Sequence, residues 1–265
     1  MGKIIGVLSL KGGVGKTSSV ISLGSCLSDF GKKVLLVDCN FSAPNLGLHL
    51  NVINPQKTLH HVLERSANIE ETIHSLEHFD IIPSQIFNEP KVNPLKLRDH
   101  LKPLKKIYDI ILLDSSPALN EETLATVLAS DELLFVTTPD YPTLATTLKA
   151  VKFAKERGTP ISGLVLNKVY GKNFELSLDE IERTVDVPIL AVIPHDLNVA
   201  KSLANFSPSN KFNPKSRGSV EYKKLAAVLI GEKFRPSFGF REFFNKVTPR
   251  REEINREIFY KSVFG

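Results

Sequence analysis

Residues Leu10–Ser18 read LKGGVGKTS, where an apolar run, Lys3–Leu10, gives way at once to a helical stretch, Lys16–Phe30, closed by Gly31. A glycine-rich turn between a buried strand and a helix N-terminus is an anion site, because successive backbone N–H groups and the helix dipole favour negative charge. Gly12, Gly13 and Gly15 let the backbone close around a phosphate. Lys16 stands where it reaches β- and γ-phosphates, and Thr17 offers a hydroxyl to Mg²⁺. The expected ligand is a nucleoside triphosphate with Mg²⁺, held by Gly12, Gly13, Val14, Gly15, Lys16, Thr17 and Ser18.

Beyond this loop, apolar runs bounded by turn residues recur at Lys33–Asp38, Phe79–Pro83, Tyr108–Asp114, Glu132–Pro139, Ile161–Lys168 and Val187–Pro194. Uninterrupted runs of this kind suit strands buried on both faces. Helical patterns fall between them at Thr58–Arg65, Pro94–Ile107, Glu121–Ser130, Pro142–Arg157 and Leu178–Val185, the last with a capping box from Ser177 and Glu180. The alternation predicts an α/β fold, a mostly parallel, doubly wound sheet with helices on both faces and its ligand at the carboxyl ends of the strands, and the phosphate loop makes it a P-loop NTPase sheet. After Pro194 comes a polar loop, Phe206–Ser219, then a helix from about Ser219 to Ile230. The compact domain is expected to span 1–231, and 232–265 is an extension.

Composition narrows the function. The 265 residues are 42% hydrophobic and 24% charged, with no Trp. No apolar run is long enough to span a membrane, and the first residues enter a strand directly, which predicts a cytoplasmic location without a secretory signal. Cys26 and Cys39, in apolar segments, suggest neither a disulfide nor zinc. The formal charge is +5, but eight Lys/Arg against five Asp/Glu in 232–265 supply three of it and leave the core near +2. That argues weakly for a DNA-binding face.

The loop departs from the general phosphate-loop pattern by carrying Leu10 where a glycine is usual, then an additional lysine, Lys11. The form XKGGXGKT resembles the deviant Walker A loop of the MinD/ParA family of SIMIBI-class ATPases, relatives of the nitrogenase iron protein and the tail-anchored-protein targeting ATPase. Further strings match in the same order. VLLVDCNFSAPNLGL (Val34–Leu48) is similar to switch I, and YDIILLDSSPAL (Tyr108–Leu119) to the Walker B strand and switch II. TTPD (Thr137–Asp140), LVLNKV (Leu164–Val169) and VIPHD (Val192–Asp196) also match. The resemblance implies ATP as the nucleotide and a homodimer with ATP sandwiched, Lys11 crossing to the partner's phosphates. It implies Mg²⁺ near Thr17, Asp38 and Asp114, adenine read by Asn167, and the base flanked near Pro194.

Lys11, Lys16 and Asn40 are the catalytic candidates. Most members of the family read Asp-x-Asp in switch I, the second carboxylate orienting the attacking water, and here that position is Asn40. An amide cannot act as general base, yet phosphoryl transfer rests mainly on positioning and electrostatics. The expectation is a slow ATPase whose bound nucleotide acts as a conformational timer. A hydrolysis-deficient, ATP-locked binding module is the alternative chemistry.

Fold and loop leave the biology open. The favoured reading is a MinD-like positioning ATPase, serving cell division or a similar process through an unknown protein partner or activator. A ParA-like partition ATPase binding DNA without sequence preference is the alternative, with Lys211, Lys215 and Arg217 of the Phe206–Arg217 loop as its basic residues. Iron–sulfur carriage is disfavoured by the lack of Cys-x-x-Cys, and a tyrosine-kinase tail by the single Tyr260 after residue 231. Seven of the sixteen phenylalanines lie in 232–265. In 239–247, GFREFFNKV, residues Phe240, Phe243, Phe244 and Val247 fall on one helical face. That segment resembles the membrane-targeting helix of MinD-type proteins and implies peripheral attachment to an anionic membrane at its inner face. The apolar residues of 248–265 are spread around the wheel, which leaves docking on the domain or on a partner open.

Overall fold

The computed structural model describes residues 2–86, 92–234 and 250–265. Eight strands form one sheet: β1 (Lys3–Leu8), β2 (Val34–Cys39), β3 (His74–Ser75), β4 (Asp80–Ile82), β5 (Ile110–Ser115), β6 (Glu132–Thr137), β7 (Ile161–Val169) and β8 (Ile189–Pro194), in the order β3-β4-β2-β5-β1-β6-β7-β8. Every pairing among the described residues is parallel except β3 with β4 at one edge. The seven runs read from the sequence are seven of these strands. β3 was missed because two residues at an antiparallel edge carry no periodicity.

The helices are α1 (Lys16–Asp29), α2 (Leu46–His49), α3 (Leu59–Leu63), α4 (Leu97–Leu101), α5 (Glu121–Ala129), α6 (Tyr141–Glu156), α7 (Leu178–Val185), α8 (Leu197–Ala204), α9 (Ser209–Phe212), α10 (Arg217–Leu229) and α11 (Arg251–Phe264). The single helix expected at 94–107 is instead α4 flanked by 3-10 turns at Pro94–Lys96 and Lys102–Lys106. Pro103 lacks the N–H that an unbroken helix needs there. The capping box expected for α7 is half made: Ser177 Oγ accepts from the Glu180 N–H at 3.2 Å, while the Glu180 carboxylate accepts from Tyr141 Oη. The supposed loop 206–219 contains α9 and the start of α10, pinned to α1 through Ser22 and Ser209 hydroxyls 2.8 Å apart.

Three apolar clusters flank the sheet. Val20, Ile21, Leu23 and Leu27 of α1 pack with Tyr222, Leu225 and Ala226 of α10 on one face. A second cluster joins β2 and β5 to α3, α4 and α5, and a third joins β6 and β7 to α6 and α7. Fully burying each Leu or Ile side chain contributes about 1.5–3 kcal/mol. β1 sits centrally between β5 and β6, so the chain reverses its order there and the loops after β1, β2, β5 and β6 gather at one crevice.

α11 packs on β8 and α10. Asn255 Nδ2 donates to the Ile189 carbonyl at 2.9 Å, covering part of this edge strand, and Arg256 pairs with Glu221 at 3.3 Å with both side chains buried. The candidate amphipathic segment 239–247 lies outside the described residues.

Candidate functional site

The loop after β1 departs from ordinary backbone at two positions, Gly13 at φ 79° and Gly15 at φ 92°. A side chain would be strained at either position. An added Cβ on Gly12 or Gly13 would meet no protein atom within 4 Å, so the loop leaves open space on its inner side. At Gly15 the same Cβ would strike Asn167 Nδ2 at 2.3 Å, so the glycine permits close approach of β7 to the loop. The space belongs to a cleft of about 470 Å³ lined by Lys11–Ser18, Asn40, Asn45, Asn167 and Pro194–Leu197. That volume suits a small-molecule ligand.

At the floor of the cleft, Lys16 Nζ donates to Asp114 Oδ1 at 2.5 Å and Thr17 Oγ1 to Asp114 Oδ2 at 2.7 Å. Sheet register pairs Asp114 with Asp38 on the neighbouring strand. Asp38 is fully buried; its Oδ1 accepts from the Asn40 N–H, and its Oδ2 from the N–H groups of Asn45 and Leu46 at the start of α2. Burial, then the charge of Asp114, push the Asp38 carboxyl up to about 7 despite these bonds. Two carboxylates facing one lysine beside a hydroxyl make an oxygen donor set short of positive charge, which fits a hard divalent cation such as Mg²⁺.

Asn40 lines the cleft. Its Nδ2 donates to the Ala43 carbonyl, and its Oδ1 is buried with no partner among the described residues. Lys11 turns away from the phosphate floor. Its Nζ donates to Thr143 Oγ1 at 2.7 Å and to Asp140 Oδ1 at 3.2 Å, with its side chain 40% exposed. Partial burial pushes the Asp140 carboxyl upward, but bonds from Thr138, Thr143 and Lys11 outweigh it and hold Asp140 at about 2.

At the other end, Asn167 Nδ2 donates to the Val14 carbonyl at 2.8 Å, so this amide braces the loop. Pro194 lines the cleft beside His195, which stacks on Tyr170 with ring centroids 4.4 Å apart. The fold therefore brings the predicted residues Lys11–Ser18, Asn40, Asn167 and Pro194 to one cleft, with Asp114 buried behind Lys16 and Thr17 and Asp38 next to it on the neighbouring strand. Sequence reasoning left Asp140, Lys168, His195 and Glu122 without roles. Lys168 Nζ donates to the Gly13 carbonyl at 2.6 Å, and Glu122 Oε1 accepts from the Ser42 N–H at 3.0 Å. Asp140, Lys168 and His195 lie inside the matched strings; Glu122 had no local signal.

The family described as an AAA domain matches residues 2–157. An uncharacterised ATP-binding protein of Methanocaldococcus jannaschii is 32% identical over 264 residues, 98% of this chain and 96% of that protein. The cell division ATPase MinD of Pyrococcus furiosus has a similar crystal structure, with TM-score 0.81 and 36% identity over 85% of this chain and 97% of that chain. The septum site-determining protein MinD of Pyrococcus horikoshii, complexed with Mg-ADP, gives TM-score 0.82 and 33% identity over 86% and 96%.

Proposed function

Since the chain belongs to the MinD/ParA family of P-loop ATPases, we propose that it is a nucleotide-dependent dimerisation switch used in spatial positioning, of cell division or a comparable process. It is an ATPase that binds ATP and Mg²⁺. When bound, the ion neutralises charge on the phosphates and helps orient them. Thr17 and Asp114 are the residues that would hold it, with Asp38 behind them, and Lys16 and the loop amides would hold the phosphates. Asn40 orients the attacking water through its amide and takes no proton, so turnover is slow.

The observation that supports the switch is the position of Lys11. This lysine lines the cleft of its own subunit, while its ammonium bonds to Asp140 and Thr143 and stays partly exposed. A surface ion pair of this kind is worth only about 0–1 kcal/mol, so a second subunit's phosphates could claim the ammonium at little cost. Light scattering of the chain in ADP and in a nonhydrolysable ATP analogue tests the reading, a monomer in the first and a dimer in the second being the expected result.

The architecture we propose is the ATPase domain 1–231 followed by the extension 232–265, whose α11 docks on β8 and α10. No helix among the described residues is long and apolar enough to cross a membrane. Peripheral attachment to an anionic membrane through 239–247 is part of the proposal, tested by flotation with anionic liposomes in ATP with and without residues 238–265. The partition reading is less favoured because Lys211, one of its three loop cations, is committed to Asp29 at 2.7 Å, which leaves a smaller basic patch.

A further inference from the structure

Glu122 is the second residue of α5, the helix that follows the loop 116–120 after β5. A carboxylate in a first helical turn is favoured by the helix dipole, and such residues often bond to their own helix's free N–H groups. Glu122 instead reaches across to the loop after β2, its Oε1 accepting the Ser42 N–H at 3.0 Å. Its Oε2 is buried without a partner among the described residues. Leaving a buried carboxylate oxygen unpaired is unfavourable, so the surroundings hold this side chain in place against that cost.

Ser42 lies two residues beyond Asn40, and the residue between them, Phe41, is buried in the same apolar cluster as Ala125 and Ala129 of α5. The loop is thus held by the apolar packing of Phe41 and, at the next peptide, by a charge-assisted bond to α5. Its other side-chain bonds are internal: Asn40 and Asn45 both donate to the Ala43 carbonyl, and Asp38 accepts from Asn40, Asn45 and Leu46. Asn40 therefore sits in a small closed loop held from outside by Glu122 of α5 and by the packing of Phe41, whose ring meets His60 of α3 edge-on.

We propose that Glu122 is a positioning residue for ATP hydrolysis, holding the Phe41–Ser42 peptide so that the Asn40 amide keeps its place at the cleft. It thereby ties the loop after β2 to the first turn of α5. An amide that only orients water depends on exact placement more than a carboxylate that can also take the proton. This rests on the reading that Asn40 orients the attacking water.

The test compares wild type with Glu122→Ala, Glu122→Gln and, as control on the same turn, the exposed Glu121→Ala. Hydrogen exchange of peptides covering 40–46 reads the tether without turnover, and single-turnover hydrolysis reads its consequence. Glu122→Ala should lose protection over 40–46 and hydrolyse about 10- to 100-fold more slowly, the scale expected of small misplacements, with affinity for a nonhydrolysable ATP analogue retained within about twofold. Glu122→Gln retains an acceptor for Ser42 and should restore most of both, and Glu121→Ala should match wild type. Unchanged protection or a wild-type rate in Glu122→Ala overturns the role, and so does a Gln variant as defective as the Ala variant. Asn40→Ala run alongside separates the two claims. If it is slow while Glu122→Ala is not, only the Glu122 role fails; if it hydrolyses like wild type, the Asn40 reading itself fails.

Discussion

Lys16 and Asp114 form a buried ion pair at the floor of the cleft, 2.5 Å apart, and the second carboxylate oxygen is taken by Thr17. Lysine, hydroxyl and acid thus satisfy one another. Removing the acid's charge leaves the Lys16 ammonium buried without its counter-ion, a change that costs about 3–5 kcal/mol. Asp114→Asn should lower the stability of the nucleotide-free protein in urea by about that amount and remove the gain in ATP affinity on adding Mg²⁺. Undiminished Mg²⁺ dependence in the variant would show that Asp114 has no part in holding the ion.

The Asp38 carboxyl, at about 7 in the folded protein against an ordinary value of 3.8, binds a proton more tightly folded than unfolded. Between those values the folded state carries more protons, so stability falls as pH rises from 4 to 7 and levels off above. One such group contributes a slope of at most about 1.4 kcal/mol per pH unit. Urea midpoints of nucleotide-free wild type and Asp38→Asn across this window should show the slope in the first and its loss in the second. A parallel pH profile in the two proteins would assign the dependence to other groups.

Asn40 lines the cleft, its carbonyl oxygen without a partner among the described residues. Asn40→Asp supplies a group able to take a proton and should raise single-turnover hydrolysis, by up to about 10²–10⁴-fold if general base catalysis is restored in full. An equal rate would remove Asn40 as the limiting feature.

The C-terminal helix is held by the buried Arg256–Glu221 pair, with Phe259 packed beneath it. Glu221→Ala leaves the guanidinium uncompensated and should cost about 3 kcal/mol. Proteolysis at 250–265 should then precede global unfolding. Cleavage there at the wild-type rate would mean that Phe259, Asn255 and the Arg251 pairs with Asp179 and Glu182 hold α11 without Glu221.

The strand-ending loops were legible because the phosphate loop, the Asp38 and Asp114 strand ends and the Asn167 and Pro194 strings are local patterns on buried parallel strands. What escaped was of two kinds. β3, α2, α8 and α9 are elements of two to eight residues whose form is set by packing. The bonds of Lys168 to Gly13 and of Glu122 to Ser42 join residues 155 and 80 positions apart, so chain-local periodicity cannot report them. The resting place of Lys11 is a third such contact, visible only once β6 and β1 lie side by side.

That contact bears on the central claim, a dimer made by ATP through Lys11. The direct measurement is molar mass by light scattering for wild type and Lys11→Ala, each in ADP and in a nonhydrolysable ATP analogue, with nucleotide binding measured on the same samples. Wild type should be a monomer in ADP and a dimer in the analogue, while Lys11→Ala binds the analogue and remains a monomer. A wild type whose mass ignores the nucleotide, or a Lys11→Ala protein that dimerises as wild type does, would contradict the account.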